Sequence, residues 1–153
     1  MKTMLGLLQS STRFDANLSE WGGSLLSLAI RFFVGAQFLR SGLAKVGDWG
    51  NTLMLFREEY AVPLLSPELA AVLGTAGELV FPILLFVGLM SRPAALGLFF
   101  VNLVAVISYS KLFAFECPAA INDHFYWGAL LLVLMAFGPG RFSLDHVLSQ
   151  RRD

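Results

Sequence analysis

Charge and cysteine are both scarce in this sequence, and neither sign of charge is in excess. Only 14% of its 153 residues are charged and 56% are hydrophobic, whereas soluble domains average about 25% charged. The 11 basic and 11 acidic residues balance, so nothing favours a nucleic-acid partner. The single cysteine, Cys117, excludes an internal disulfide and any dithiol redox motif. These features favour an integral membrane protein.

Four apolar segments are long enough to cross a bilayer, which takes about 20 residues. They lie at about residues 23–44, 67–90, 93–110 and 118–137. Ser66 and Pro67 are typical of a helix start, and Gly138-Pro139-Gly140 is typical of a helix end. We therefore predict an all-α integral membrane four-helix bundle. Its parts are an N-terminal interfacial segment (1–22), the helical domain (23–138) and a cytoplasmic tail (139–153).

The distribution of Lys and Arg predicts the orientation. With both termini inside, the cytoplasmic side carries six basic residues and the opposite side carries three. The positive-inside rule then favours an N-in, C-in arrangement. The six are Lys2, Arg13, Arg92, Arg141, Arg151 and Arg152; the three are Lys45, Arg57 and Lys111.

Two ionisable residues lie deep within apolar segments, Arg31 in the first and Glu78 in the second. A charge at the bilayer centre costs on the order of 3 kcal/mol unless it faces the bundle interior and finds a partner. We expect Arg31 to contact Glu78. Three interpretations stay open: the pair fixes helix register, Glu78 titrates, or Arg31 holds an anionic or quinone-like ligand. Arg31 shares one helix face with Ser24, Ser27, Gly35, Gly42 and Lys45.

A second group of polar residues is predicted to converge at the outer end of the bundle. Cys117 and His124 are its only candidates for metal or haem-iron ligands. Their C-x6-H spacing matches no metal site, and a structural zinc site needs four protein ligands. We therefore expect no metal, but a hydrated mouth. The group comprises Lys45, Tyr109, Lys111, Glu116, Cys117, Asp123 and His124. Asn102, inside the third segment, is predicted to form a helix–helix hydrogen bond.

Three motifs in order resemble those of the DoxX family of small bacterial membrane proteins. The first is Arg31-x3-Gly35-x2-Phe38-x3-Gly42-x2-Lys45, the second is Gly74-x3-Glu78 followed by residues 88–92, and the third is the tail 138–145. The chain departs from the family pattern at Pro82 and in the loop 113–124.

In the tail, we expect Ser143 and Asp145 to cap a short segment at 144–148, which serves as an interfacial anchor or docks a soluble partner.

The resemblance implies a multi-pass protein of the bacterial inner membrane. It implies an accessory or anchoring, non-catalytic subunit of a quinone-linked oxidoreductase system, of the thiol, sulfur or oxidative-stress type. A quinone is the implied cofactor, and the implied partners are the lipid bilayer, a redox protein and further copies of the chain. Two alternatives stay open: a structural or assembly factor, and a component of an oligomeric small-solute transporter. The candidate site residues are Arg31, Lys45, Glu78, Asn102, Tyr109 and His124.

Overall fold

The computed structural model confirms the all-α prediction. It describes the backbone of residues 2–113 and 118–151, and the side chains of residues 18–109, 112–113 and 119–151. Six α-helices follow in order, with a short 3₁₀ turn at Ser110–Phe113 between the fourth and the fifth. The helices are α1 (Lys2–Gly47), α2 (Trp49–Glu58), α3 (Pro67–Val87), α4 (Ser91–Ser108), α5 (Pro118–Phe137) and α6 (Leu144–Gln150).

Within the described residues, four helices are long and apolar enough to span a membrane. These spans are Leu18–Gly47, Pro67–Val87, Ser91–Ser108 and Ala119–Phe137. The helix predicted for residues 23–44 is longer than expected, because α1 continues without a break from Lys2 to Gly47. The sequence reading also missed α2, whose ten residues are too few and too polar to register as a span.

Local sequence signals explain the bounds of α2 and α3. Asp48 caps α2 by accepting a hydrogen bond from the Asn51 amide, and Ser66 caps α3 through the Leu69 amide. Helix α3 ends at Gly88, whose φ of +69° lies in the left-handed region that favours glycine. That residue turns the chain directly into α4.

Helices α1 and α3 pack closely and antiparallel through glycines of α1. A Cβ added to Gly35 would lie 2.6 Å from the Phe86 ring, and one added to Gly42 would lie 2.9 Å from Leu79 Cδ2. Small residues allow backbones in a membrane bundle to approach in this way. The predicted face of α1 is therefore its packed face. The core behind it is aliphatic and aromatic, and includes Ile30, Val34, Phe38, Leu85, Leu98, Leu131 and Leu134.

The chain after α5 folds back against the end of the bundle where α3 turns into α4, which we call the tail end. Ser27 donates to the Gly138 carbonyl (2.9 Å), and Arg31 Nη2 donates to the Phe142 carbonyl. Arg31 is fully buried, and the carboxylate of Asp145 attracts its positive charge. Arg31 Nε and Nη1 have no hydrogen-bond partner among the described residues. The tail thus supplies backbone carbonyl acceptors to Ser27 and to one of the three Arg31 nitrogens.

Asp145 has a different role from the one predicted. Ser143 caps α6 as expected, accepting from the His146 amide. The Asp145 carboxylate instead accepts hydrogen bonds from the backbone amides of Met90 and Ser91, both at 2.8 Å. It thus caps the N-terminus of α4, where the N-cap residue Met90 forms no side-chain cap of its own.

Candidate ligand-binding cavity

Glu78 forms its ion pair with Lys45 of α1. Lys45 Nζ lies 2.7 Å from Glu78 Oε1 and 2.6 Å from Oε2, and it also donates to the Ser41 hydroxyl at 2.8 Å. Gly42 makes the pair possible, because a Cβ there would lie 3.1 Å from Glu78 Cβ. The pair thus lies where Gly42 lets α1 approach α3, at the opposite end of the bundle from the tail.

The predicted contact between Arg31 and Glu78 is wrong. Gly35 faces Phe86 and Gly42 faces Leu79, so in this antiparallel register Arg31 lies level with residue 90 and Glu78 with residue 43. The two side chains are therefore separated by about twelve residues of α1, or roughly 18 Å of helix. The prediction paired the two residues by their distance from the end of each apolar segment. That comparison failed because α1 extends far beyond the predicted segment 23–44.

A cavity of about 400 Å³ opens beside the Lys45–Glu78 pair, between α1–α5. Most of its wall is apolar or aromatic, and the ion pair is part of that wall. The residues that line it include Gln37, Phe38, Ser41, Lys45, Phe56, Tyr60, Glu78, Ser108, Tyr109, His124 and Trp127. This size falls within the range of about 300–1,000 Å³ that is typical of small-molecule sites.

Stacked aromatic rings form one wall of the cavity. The rings of Phe56 and Tyr60 stack with centroids 4.8 Å apart, and Tyr60 stacks on Tyr109 at 5.0 Å. The Ala61 amide donates to the Ser108 carbonyl at 3.0 Å, which ties the loop after α2 to the end of α4. Burial, with added repulsion from Tyr109, Glu78 and Glu59, raises the pKa of the Tyr60 phenol above its ordinary 10.0.

His124 enters the cavity wall from α5 and is held from behind by Asn102 of α4. Asn102 Nδ2 donates to the His124 carbonyl at 2.9 Å, while Asn102 Oδ1 lies 2.7 Å from His124 Nδ1. The imidazole also meets the Trp127 ring edge-on, with centroids 5.0 Å apart. The helix–helix hydrogen bond predicted for Asn102 is present, and it orients a histidine.

The structure brings four of the six candidate residues to one cavity: Lys45, Glu78, Tyr109 and His124. Asn102 lies behind His124, and Arg31 lies apart at the tail end. Asp123 is exposed and does not line the cavity. Among the described residues, no group of three or more His, Cys, Asp or Glu could hold a metal. Cys117, Glu116 and the side chain of Lys111 fall outside the described part of the chain.

Sequence reasoning missed the contribution of α2 and the loop after it. Phe56 and Tyr60 line the cavity, yet they lie between two apolar runs and were not among the predicted site residues. The available signal was the Asp48 cap followed by Thr52 and Phe56, one helical turn apart and both buried. That spacing indicates a short amphipathic helix facing the bundle.

Comparisons with known proteins point to one family. The DoxX family model matches residues 26–111. An uncharacterized membrane protein of Mycobacterium tuberculosis is 31% identical over 137 residues, covering 81% of this chain and 82% of that protein. An uncharacterized protein of Haemophilus influenzae is 27% identical over 141 residues, covering 89% of this chain and 91% of that protein. No solved structure matches the chain significantly.

Proposed function

The chain belongs to the DoxX family of multi-pass membrane proteins, and on that premise we propose that it is an accessory or anchoring subunit of a quinone-linked oxidoreductase system. Its place is the bacterial inner membrane, with both termini in the cytoplasm, so that the cavity lies toward the outer face. The observation that carries the proposal is the cavity itself, an aromatic chamber with one ion pair in its wall.

The residues of the cavity fit a quinone ring. Tyr60, Tyr109 and Trp127 offer aromatic surfaces against which a planar ring can pack.

This chain contributes binding and orientation, and the bound quinone supplies the capacity to accept two electrons. Lys45 and Glu78 set a charged edge in an otherwise apolar chamber, and the aromatic wall excludes water from the ring. With one cysteine, the chain has no dithiol of its own. We therefore assign the oxidation of a thiol or sulfur substrate to a partner protein.

Purified protein in lipid nanodiscs tests the proposal directly. Extraction and mass spectrometry should find a quinone, and a short-chain ubiquinone should bind in calorimetric titration above the level of empty nanodiscs. The double variant Lys45→Met/Glu78→Leu removes both charges together, so no buried charge is left without a partner and the fold should persist. We expect at least about tenfold weaker binding, since the polar edge is lost.

The matched control is Arg57→Met/Glu68→Leu. This pair also joins a basic residue to a glutamate, at 2.8 Å, but both side chains are more than half exposed and neither lines the cavity. Its removal should leave quinone binding unchanged. Purified protein with no bound quinone and no affinity for ubiquinone would instead favour a structural or assembly role, with the Lys45–Glu78 pair acting only to fix the helices.

A further inference from the structure

Protein oxygens already engage the ammonium group of Lys45. An ammonium carries three N–H donors and no acceptor. Lys45 Nζ has three acceptors within hydrogen-bond distance: the Ser41 hydroxyl at 2.8 Å, Glu78 Oε1 at 2.7 Å and Glu78 Oε2 at 2.6 Å. A ligand therefore competes with protein oxygens for Lys45, whereas Glu78 keeps lone pairs that can accept from a ligand.

Asn102 fixes the tautomer of neutral His124. Its Nδ2 must be the atom that donates to the His124 carbonyl, because a carbonyl oxygen only accepts. Its Oδ1 therefore faces His124 Nδ1 at 2.7 Å, and that contact requires a proton on Nδ1. The neutral ring then has its lone pair on Nε2, the nitrogen available to a molecule in the cavity. Asn102 is a positioning residue for His124.

From these two arrangements we infer that the cavity binds the reduced, hydroquinone form of its ligand in preference to the oxidised quinone. A ligand hydroxyl can donate its one proton either to a Glu78 oxygen or to His124 Nε2. A quinone carbonyl at the same place is itself an acceptor, so no proton is available for a hydrogen bond to either residue. The inference rests on the proposed function and names the redox form that the same site selects.

The other polar groups of the cavity do not reverse this preference. The hydroxyls of Tyr60, Tyr109 and Ser108 rotate to donate or accept, so they fit either form. Gln37 and Trp127 also carry N–H groups and can serve a carbonyl elsewhere on the ring. The preference concerns a ligand oxygen that faces either Glu78 or His124. We expect it to be at least about tenfold, which raises the midpoint potential of the bound two-electron pair by about 30 mV.

Calorimetric titration in nanodiscs compares the two forms of one short-chain ubiquinone. The reduced form is kept reduced under anaerobic conditions, and empty nanodiscs correct for partition into lipid. Hydroquinone binding at least about tenfold tighter supports the inference. Equal affinity, or tighter binding of the quinone, overturns the inference and leaves the proposed function standing. Binding of neither form overturns the proposed function, and the inference falls with it.

Two variants separate the histidine from a general effect on stability. His124→Phe keeps a ring of similar size and removes the acceptor, so hydroquinone affinity should fall and the ratio of affinities should approach one. His146→Phe is the matched control, because His146 belongs to α6 at the tail end and does not line the cavity. It should leave the ratio unchanged. A ratio that survives His124→Phe refutes the assignment.

Nitrogen NMR of histidine-labelled protein provides a second measurement that does not depend on a ligand. In a His146→Gln background His124 is the only histidine. Its spectrum should show a proton on Nδ1 and an unprotonated Nε2. Asn102→Leu should release this tautomer while the protein remains folded. A proton on Nε2 in the unmodified site, in either the neutral or the doubly protonated ring, would overturn the inference.

Discussion

Replacement of Asp145 should destabilise the whole bundle, although this residue lies in a seven-residue helix after the last span. Its carboxylate accepts the amides of Met90 and Ser91, both at 2.8 Å, and its own amide donates to the Gly88 carbonyl at 2.9 Å. Its negative charge also attracts the buried guanidinium group of Arg31. One side chain thus caps α4, joins α6 to the turn between α3 and α4, and balances a buried cation.

The magnitude follows from the number of hydrogen bonds lost. Charge-assisted bonds contribute about 1.5–3 kcal/mol each, and the exposed position of the Met90 amide favours the low end for that bond. Asp145→Ala should therefore lower the free energy of unfolding by about 3 kcal/mol. Asp145→Asn keeps one acceptor oxygen but loses the charge, so we expect a loss of about 1.5 kcal/mol.

Asp48→Asn is the matched control, since it removes the same charge from another helix cap. Asp48 accepts a single amide, that of Asn51, and asparagine caps about as well as aspartate. We expect Asp48→Asn to lower the free energy of unfolding by less than about 0.5 kcal/mol. Unfolding by urea in detergent, followed by circular dichroism, gives the free energies, and hydrogen exchange at Met90 and Ser91 gives the local effect. If the two asparagine variants are equally stable, Asp145 does not hold the tail end together.

Two further predictions concern the tail end and the cavity. Gly88→Ala should lower the free energy of unfolding by about 3 kcal/mol, because alanine is strained at φ +69° and its Cβ would lie 2.2 Å from Arg31 Nη1. Its control is Gly22→Ala, where a Cβ would have nothing within 4 Å; this variant should be neutral or stabilising in the same urea titration. The raised pKa of Tyr60 stabilises the fold below the ordinary phenol pKa of 10.0, and that stabilisation is lost as the pH rises past it. Thermal melts at increasing pH should therefore show a shallower alkaline decline for Tyr60→Phe, and an unchanged decline would contradict the buried position of this phenol.

Much of the fold was predictable, because long apolar runs and helix caps act locally. The start of α3 at Pro67 and the whole of α5 agree with the sequence reading. The packed face of α1 also followed from helical periodicity alone, since small and polar residues recur on one side. These features depend on residues within a few turns of each other, which is why the sequence reveals them.

The pairing of charges between helices was not predictable, because it depends on register. Glu78 had two cationic candidates on one face of α1, Arg31 and Lys45, and only the contacts of Gly35 and Gly42 decide between them. Those contacts set α3 against α1 with Glu78 level with residue 43. The partner of Arg31 was hidden for a similar reason, since backbone carbonyls of the tail leave no residue-type signal in the sequence.

The two cations of this face differ in a way that suits their positions. Arg31 has five donors in a planar fork, and a buried guanidinium stays charged. It therefore suits a site where the Phe142 carbonyl accepts from it and the Asp145 carboxylate attracts its charge. Lys45 is a compact charge that Ser41 and Glu78 engage with three oxygens, and both members of the ion pair line the cavity. Under the proposed function, register fixing and ligand binding, which the sequence left as alternatives for one pair, belong to different residues at opposite ends. Stability should respond chiefly to changes around Arg31, and affinity to changes around Glu78, so each proposal can fail without the other.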